Sequence, residues 1–259
     1  MTGPAGHIAH KRFGQNFLVD ESVLDALIGF IAPNAEDKII EIGPGRAALT
    51  ARLLRRVPKM SAVEIDRDLA AWLRGEFPTL EVIEADALKL DWKTILEGSP
   101  IRVVGNLPYN ISSPILFALL GAKDRVIDQH FMLQREMVDR MVAKPSTKAY
   151  GRLSVMLQAY YDMAKLCDIG PQAFYPAPKV FSAFVRMVPK KNVPDVDFSQ
   201  FEKVVKAAFS LRRKTLRNAL AGVLTEDEIR KADIDPSVRA ETLDVNDFVR
   251  LTKVYASKA

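Results

Sequence analysis

Cysteine is nearly absent: Cys167 is the only one in 259 residues. That excludes an internal disulfide and fits a reducing compartment. Cys167 sits in a strand-like stretch, 164–169, where a small buried hydrophobe is expected rather than a nucleophile. Histidine is almost as scarce. His7, His10 and His130 are scattered, no Cys/His ligand spacing accompanies them, and no metal site is expected. No serine lies in a nucleophile-elbow context, which leaves hydrolase readings weak. No apolar run approaches the roughly 20 residues needed to cross a bilayer, and residues 1–12 lack an apolar core of signal-peptide length. A soluble cytoplasmic protein with no membrane partner is expected. Internal repeats and low-complexity segments are also missing.

What is present is a chain with 48% hydrophobic residues, enough for a sizeable core, and one tetrapeptide of unusual chemical content. Asn106-Leu107-Pro108-Tyr109 directly follows the apolar run 101–105. An adenine N6 amine is a poor nucleophile because its lone pair is delocalised into the ring. Two acceptors held against its two N–H bonds would pull the nitrogen toward tetrahedral geometry and aim the lone pair at an incoming methyl group. Asn106 offers a side-chain carbonyl. Leu107 offers a main-chain carbonyl, biased outward because a residue before proline is pushed into extended conformation. Pro108 brings no competing N–H, and Tyr109 supplies a flat face on which a base can stack. The bland alternative is a strand-to-loop turn punctuated by Asn and Pro.

The preceding segments favour the first reading. Residues 38–42 read as a short buried strand followed by Gly43-Pro44-Gly45, and Leu49, Leu53, Leu54 and Val57 follow near helical spacing. Glycines there let a cofactor approach the backbone. The apolar stretch 60–63 ends in Glu64, where a ribose-binding acid belongs in nucleotide folds. Gly43, Gly45 and Ala48 also satisfy a loose dinucleotide-binding pattern, so a nicotinamide oxidoreductase stays open at this point. The stretch 80–83 then leads into Glu84-Ala85-Asp86, an acid placed to meet an adenine amino group. Four successive strands thus carry glycine-rich or polar turns at their carboxyl ends, where open parallel sheets bind ligands. An acid-lined cleft suits the sulfonium of S-adenosylmethionine. Neither a metal nor a strong general base is needed, because the leaving group is a neutral thioether.

These motifs resemble the ribosomal RNA adenine N6-dimethyltransferases, in particular the small-subunit branch. Lys11-Arg12-Phe13-Gly14-Gln15-Asn16-Phe17-Leu18 is similar to the family's opening motif. Glu41-Ile-Gly-Pro-Gly45, Val63-Glu-Ile-Asp66, Asp86-Ala87, Gly105-Asn-Leu-Pro-Tyr109 and Phe174-Tyr-Pro-Ala-Pro-Lys-Val-Phe-Ser182 follow in order and spacing. The resemblance implies a class I methyltransferase fold: a doubly wound, Rossmann-like α/β sheet with a final antiparallel hairpin, plus a small C-terminal all-helical domain. It implies S-adenosylmethionine contacts from Gln15, Asn16, Leu18, Gly43, Gly45, Glu64, Ile65, Asp86, Ala87 and Asn106. Catalysis would fall to Asn106, Leu107, Pro108 and Tyr109, with Tyr109 and Phe174 sandwiching the flipped adenine. Two positions depart from the family pattern: Ala47 replaces a usual glycine, and Phe181 stands where Asp or Asn is commoner.

The net charge of +5 is spread over both halves of the chain, so clusters matter more than the total. Residues 203–217 hold Lys203, Lys206, Arg212, Arg213, Lys214 and Arg217 and no acid. Arg212-Arg213-Lys214 resembles the family's Arg-Arg-Lys-Thr-Leu element, and phosphate contact is expected there. Lys11, Arg12, Lys148, Arg152 and Lys179 complete the expected RNA-binding set, whereas Arg52 to Lys59 reads as a solvated helix face.

The remaining organisation is coarser. Asp20 caps a helix carrying Val23, Leu24, Leu27 and Ile28. Residues 114–120 read as a helix and 126–133 as a fifth strand, after which 134–151 reads as a polar, mobile connection. Strands near 163–169 and 182–188 end the sheet. The stretch 189–195 looks like a linker. It divides an S-adenosylmethionine-dependent methyltransferase domain, 1–189, from a helical RNA-binding domain, 196–259. The latter has helices at Phe201 to Phe209, one through Leu216, Leu220 and Leu224, and a last one capped by Asp244.

The expected activity is dimethylation of two adjacent adenosines near the 3′ end of small-subunit rRNA, coupled to subunit assembly, by a monomer whose partners are that rRNA and the pre-30S particle. Flipping a base costs least where pairing is already lost, which favours a hairpin loop. The alternatives are an assembly factor whose docking matters independently of catalysis, and an adenine N6-methyltransferase acting on large-subunit rRNA or DNA. Arg239-Ala-Glu-Thr-Leu243 and the Arg-Arg-Lys-Thr-Leu element resemble the small-subunit branch.

Overall fold

Short runs of Ile, Val and Leu separated by glycine or acid-capped helices build an alternating α/β chain. The computed structural model describes residues 15–98, 100–211 and 213–258. The expectations placed on Lys11, Arg12 and Arg212 lie outside the described residues. In chain order the strands are β1 Phe17–Leu18, β2 Ile39–Ile42, β3 Met60–Glu64, β4 Leu80–Glu84, β5 Ile101–Asn106, β6 Val126–Gln134, β7 Tyr161–Ile169, β8 Phe174–Tyr175 and β9 Ser182–Pro189. The helices are α1 Glu21–Ile31, α2 Thr50–Leu54, α3 Arg67–Glu76, α4 Trp92–Ile95, α5 Ser112–Leu120, α6 Arg135–Met141, α7 Arg152–Gln158, α8 Phe198–Ala208, α9 Leu216–Ala219, α10 Glu226–Lys231 and α11 Val245–Ala256.

Seven strands form one sheet in the order β4-β3-β2-β5-β6-β9-β7. The first five are parallel, and β9 runs antiparallel to β6 with Gln134 opposite Ser182. The class I methyltransferase fold expected from the sequence is therefore present. The strand order reverses between β2 and β5, so their carboxyl ends flank the crevice where such sheets take ligands. Gly105 makes that neighbourhood possible: a Cβ there would sit 2.6 Å from the carbonyl oxygen of Ile42. A separate two-stranded sheet pairs β1 with β8, Phe17 opposite Tyr175 and Leu18 opposite Phe174.

Local capping follows the sequence closely. Asp20 accepts from the Ser22 hydroxyl and from the backbone N–H groups of Val23 and Ser22 at the start of α1, and these bonds, the hydroxyl's foremost, hold its carboxyl below the usual range. Asp66 caps α3 by accepting from the Asp68 and Leu69 N–H groups. Asp244 caps α11 by accepting from Asp247 N–H.

The chain divides into two compact units. One comprises residues up to Val138 together with Ala164–Pro189, and the other comprises Asp139–Met163 with Lys190–Ala259. Asp139–Met163 thus groups with the helical segment, which the contiguous ranges 1–189 and 196–259 do not express. Arg152 on α7 pairs with Glu202 on α8 at 2.6 Å, and the Tyr150 hydroxyl donates to the carbonyl of Leu243.

Two local expectations are corrected and one helix is added. The connection after β6 is not a mobile loop: 135–141 is helical, with Val138 and Met141 fully buried one turn apart. The Ser154 hydroxyl and the Gln158 amide donate to the carbonyls of Arg140, Met141 and Ala143 that follow. The helix through Leu216, Leu220 and Leu224 is only one turn, Leu216–Ala219, and Gly222, with a left-handed φ of 84°, lies in the turn that follows it. The sequence reading missed α10, whose one buried apolar residue is Ile229; its signal was the capping box Thr225-x-x-Glu228.

Candidate functional site

A cavity of about 330 Å³ opens at the carboxyl ends of β2, β3, β4 and β5. Its floor is the turn after β2. Gly43 and Gly45 both adopt left-handed backbone, with φ of 70° and 54°, a conformation that glycine takes without a Cβ penalty. A Cβ on Gly45 would meet the Phe17 ring at 3.0 Å. Ala47 shares the conformation at φ 62°, so the departure from glycine noted in the sequence carries real backbone strain.

Two buried acids face this turn. Glu64 closes β3, and its carboxylate accepts from Gly45 N–H at 3.1 Å and Asp66 N–H at 2.9 Å. Burial raises its pKa, those two bonds oppose the shift, and the neighbouring Asp66 charge adds to it. Glu41 points from β2 and accepts from the Thr50 hydroxyl at 2.6 Å. Burial pushes its carboxyl up to about 7, against the Thr50 bond and with help from the nearby Glu64 charge. The Gln15 amide donates to Asp66 at 3.2 Å, fixing the segment before β1 over this wall.

Asn106 ends β5 and donates from Nδ2 to the carbonyl oxygen of Asn16 at 3.0 Å. A carbonyl can only accept, so this bond decides which way the amide faces and leaves Oδ1 as the outward acceptor. The Leu107 N–H is taken by the Met132 carbonyl at 3.2 Å, while the Leu107 carbonyl takes no hydrogen bond among the described residues. Pro108 accepts through its carbonyl from Ile111 N–H and the Ser112 hydroxyl, which tightens the turn into α5. The Tyr109 hydroxyl shares a 2.7 Å hydrogen bond with Ser182 at the start of β9. Half-burial raises the Tyr109 pKa, against the Ser182 bond, so the phenol stays neutral. The site thus presents two carbonyl acceptors and an anchored aromatic ring at one edge of an acid-walled cavity.

The cavity brings together Gln15, Asn16, Leu18, Gly43, Gly45, Glu64, Ile65, Asp86, Ala87, Asn106, Leu107, Pro108 and Tyr109. Asp86 accepts from Leu88 N–H at 3.0 Å. Phe174 is not on the wall: it is 4% exposed and packs in the core cluster with Leu18, Ala173 and Phe184. The structure therefore does not place its ring opposite Tyr109 across the cavity.

Sequence reasoning assigned no role to Glu41, Phe17, Arg46, Met132 or Phe184, all of which line it. Glu41 could have been singled out, since a lone acid inside an apolar strand needs a partner or a purpose. Arg46 lies over the Phe17 ring, 4.6 Å from its centroid, a contact without a sequence signal. Met132 and Phe184 are ordinary strand residues that become wall only through pairing.

Lys148, Lys179, Arg213 and Lys214 are exposed. Arg152 is held by Glu202 and Arg217 faces Glu226 at 3.7 Å.

A family model described as ribosomal RNA adenine dimethylase matches residues 6–257. The chain is 55% identical over 250 residues to the ribosomal RNA small subunit methyltransferase A of Bordetella avium, covering 95% of each. It is 49% identical over 256 residues to the protein of that name from Thiobacillus denitrificans, covering 97% of this chain and 100% of the relative. Among solved structures it is similar to a dimethyladenosine transferase from Plasmodium falciparum, with TM-score 0.82 and 25% identity over 93% of this chain and 98% of that one. The fold is also that of the 23S rRNA methyltransferase ErmE, with TM-score 0.69 and 24% identity over 93% of this chain and 100% of that one.

Proposed function

The chain belongs to the ribosomal RNA adenine dimethylase family, and from that premise we propose that it dimethylates the N6 amines of two adjacent adenosines near the 3′ end of small-subunit rRNA. The methyl donor is S-adenosylmethionine, which supplies an activated methyl on a sulfonium whose positive charge vanishes on transfer. The residues present fit such a group. Gly43 and Gly45 keep Cβ atoms out of the wall, Glu64 is a buried acid with lone pairs left for ribose hydroxyls, and Asp86 lies two residues past β4 where an adenine amine is expected. Ile65 is apolar and open to the cavity, a surface for a purine ring. Gln15, Asn16, Leu18, Gly45 and Ala87 complete the donor-binding set.

On the acceptor side, Asn106 Oδ1 and the Leu107 carbonyl take the two N–H bonds of the target amine and localise its lone pair. Tyr109 stacks on the base, worth roughly 1–3 kcal/mol, and its bond to Ser182 holds the ring in place. The surplus proton passes to water after transfer. After the first methylation one N–H remains, so one acceptor still aims the nitrogen for the second. Phe174 would close the base pocket only if the segment around it shifts from its packed position. The observation that carries the reading is the Asn106 amide, turned outward by its bond to Asn16.

Relatives named for the small subunit support that substrate over large-subunit rRNA. The helical range 196–259 and Lys148 would grip rRNA phosphate, with Lys11, Arg12, Arg152, Lys179, Arg212, Arg213, Lys214 and Arg217 contributing. The protein would act as a cytoplasmic monomer on pre-30S particles, and its docking would also matter to assembly. The test is incubation with methyl-labelled S-adenosylmethionine and, separately, unmethylated small subunits, large subunits and DNA, followed by nucleoside analysis. Label in N6,N6-dimethyladenosine from small subunits alone is expected; label in another nucleoside, or from large subunits or DNA, would refute it.

A further inference from the structure

Phe181 is one residue before Ser182, the residue that fixes Tyr109. It is 46% exposed, unusual for a phenylalanine with a packed core available. It is not a loose side chain. The Arg135 guanidinium lies over its ring, 4.7 Å from the centroid, and Arg135 N–H donates to the Phe181 carbonyl at 2.9 Å. Both ends of this pair are therefore tied to the sheet, at the point where Gln134 on β6 faces Ser182 on β9. Tyr175 and Val180, from the same segment, are exposed as well. Phe181 thus offers an open aromatic ring backed by the Arg135 cation next to Ser182, the partner of Tyr109, with the exposed Lys179 two residues before it.

A guanidinium on an aromatic ring is a surface that suits an unpaired nucleobase: the open ring area offers stacking, and the cation meets phosphate or a base edge. A protein partner would call for a larger contiguous apolar patch without a fixed charge at its centre. We propose that Arg135 and Phe181 form a stacking platform for the nucleotide next to the adenosine being methylated, holding the strand open while the target base enters the cavity. The inference rests on the methyltransferase reading above and adds a residue pair that positions RNA without touching the reacting amine.

The test uses small subunits whose 3′ rRNA hairpin is assembled from synthetic RNA, intact or with an abasic ribose on one side or the other of the target adenosines. Steady-state methylation is measured for the full chain, for Phe181→Ser and for Phe181→Trp. With the wild-type chain, removing one flanking base should raise KM about tenfold at little change in kcat. Phe181→Ser should raise KM by a similar factor on intact subunits and by less than about twofold further on the abasic ones. Phe181→Trp, which keeps a stacking face, should behave like wild type. Losses that multiply in the Phe181→Ser and abasic combination, or a Phe181→Ser variant indistinguishable from wild type, would overturn the platform while leaving the methyltransferase reading intact. A wild-type chain that methylates no intact subunit would overturn both.

Discussion

Glu41 is a carboxyl group buried beside a second one, and its protonation has a calculable effect on folding. Its ordinary pKa of 4.5 rises to about 7 in the fold, because burial outweighs the Thr50 hydrogen bond. Below pH 4.5 the group is protonated folded or unfolded and contributes nothing differential. Between 4.5 and 7 the folded state holds the extra proton, so stability falls as pH rises, and above 7 the cost is constant. From a shift of this size that cost is about 3 kcal/mol. Glu41→Gln keeps an acceptor for Thr50 and removes the charge. Its gain in stability over wild type should be near zero at pH 4 and grow to about 3 kcal/mol by pH 8, measured by urea unfolding across that range. A gain independent of pH would show that Glu41 does not carry this proton. The glycine turn and strand-end acids of the wall, Gly43, Gly45, Glu64 and Asp86, could be read from the chain, since local chemistry sets them. The position of Phe174 could not, because whether a ring faces a cavity or a core is decided by its partners, here Leu18 across the β1–β8 pair.

At the scale of elements, a single buried arginine ties three pieces together. Arg102 on β5 makes a two-pronged pair with Asp128 on β6, both at 2.9 Å, and a third bond at 2.7 Å to Asp37. It also donates to the carbonyls of Ile31 and Ala32 at the end of α1. Those terminal carbonyls have no helical partners, so the guanidinium caps α1 and pins it to the sheet. Arg102→Met would leave the buried Asp128 with only the longer Arg186 ion pair at 3.6 Å and Asp37 with the Asn34 N–H, and should cost roughly 3–5 kcal/mol in chemical denaturation; a loss under about 1 kcal/mol would mean that these remaining partners and water satisfy both acids. In the sequence Arg102 is one charged residue inside an apolar run, with nothing to reveal its four partners. The five parallel strands were legible because β-branched runs end in glycine or acid. α6 was not, because its polar start, Arg135-Glu136, resembles a loop until Val138 and Met141 are seen buried on one face.

For the whole molecule, the proposed chemistry lies in one unit and the Arg213–Lys214 part of the proposed RNA grip lies in the other. All cavity residues belong to the unit built on the seven-stranded sheet, while Arg213 and Lys214 belong to the helical one. Replacing Arg213 and Lys214 together by alanine should weaken binding to small subunits and flatten its dependence on log salt, by roughly one unit for each phosphate that is no longer neutralised. It should leave the rate constant of transfer on saturating subunits unchanged. Unaltered affinity and slope would show that these two residues do not touch the RNA.

The most direct test is single-turnover methyl transfer to saturating unmethylated small subunits by wild type and Asn106→Ala, alongside subunit binding measured for both. Loss of one preorganised acceptor should slow transfer about 10²–10³-fold with subunit affinity held within about twofold. Transfer at the wild-type rate without the Asn106 amide would contradict the claim that this acceptor pair activates the adenine amine.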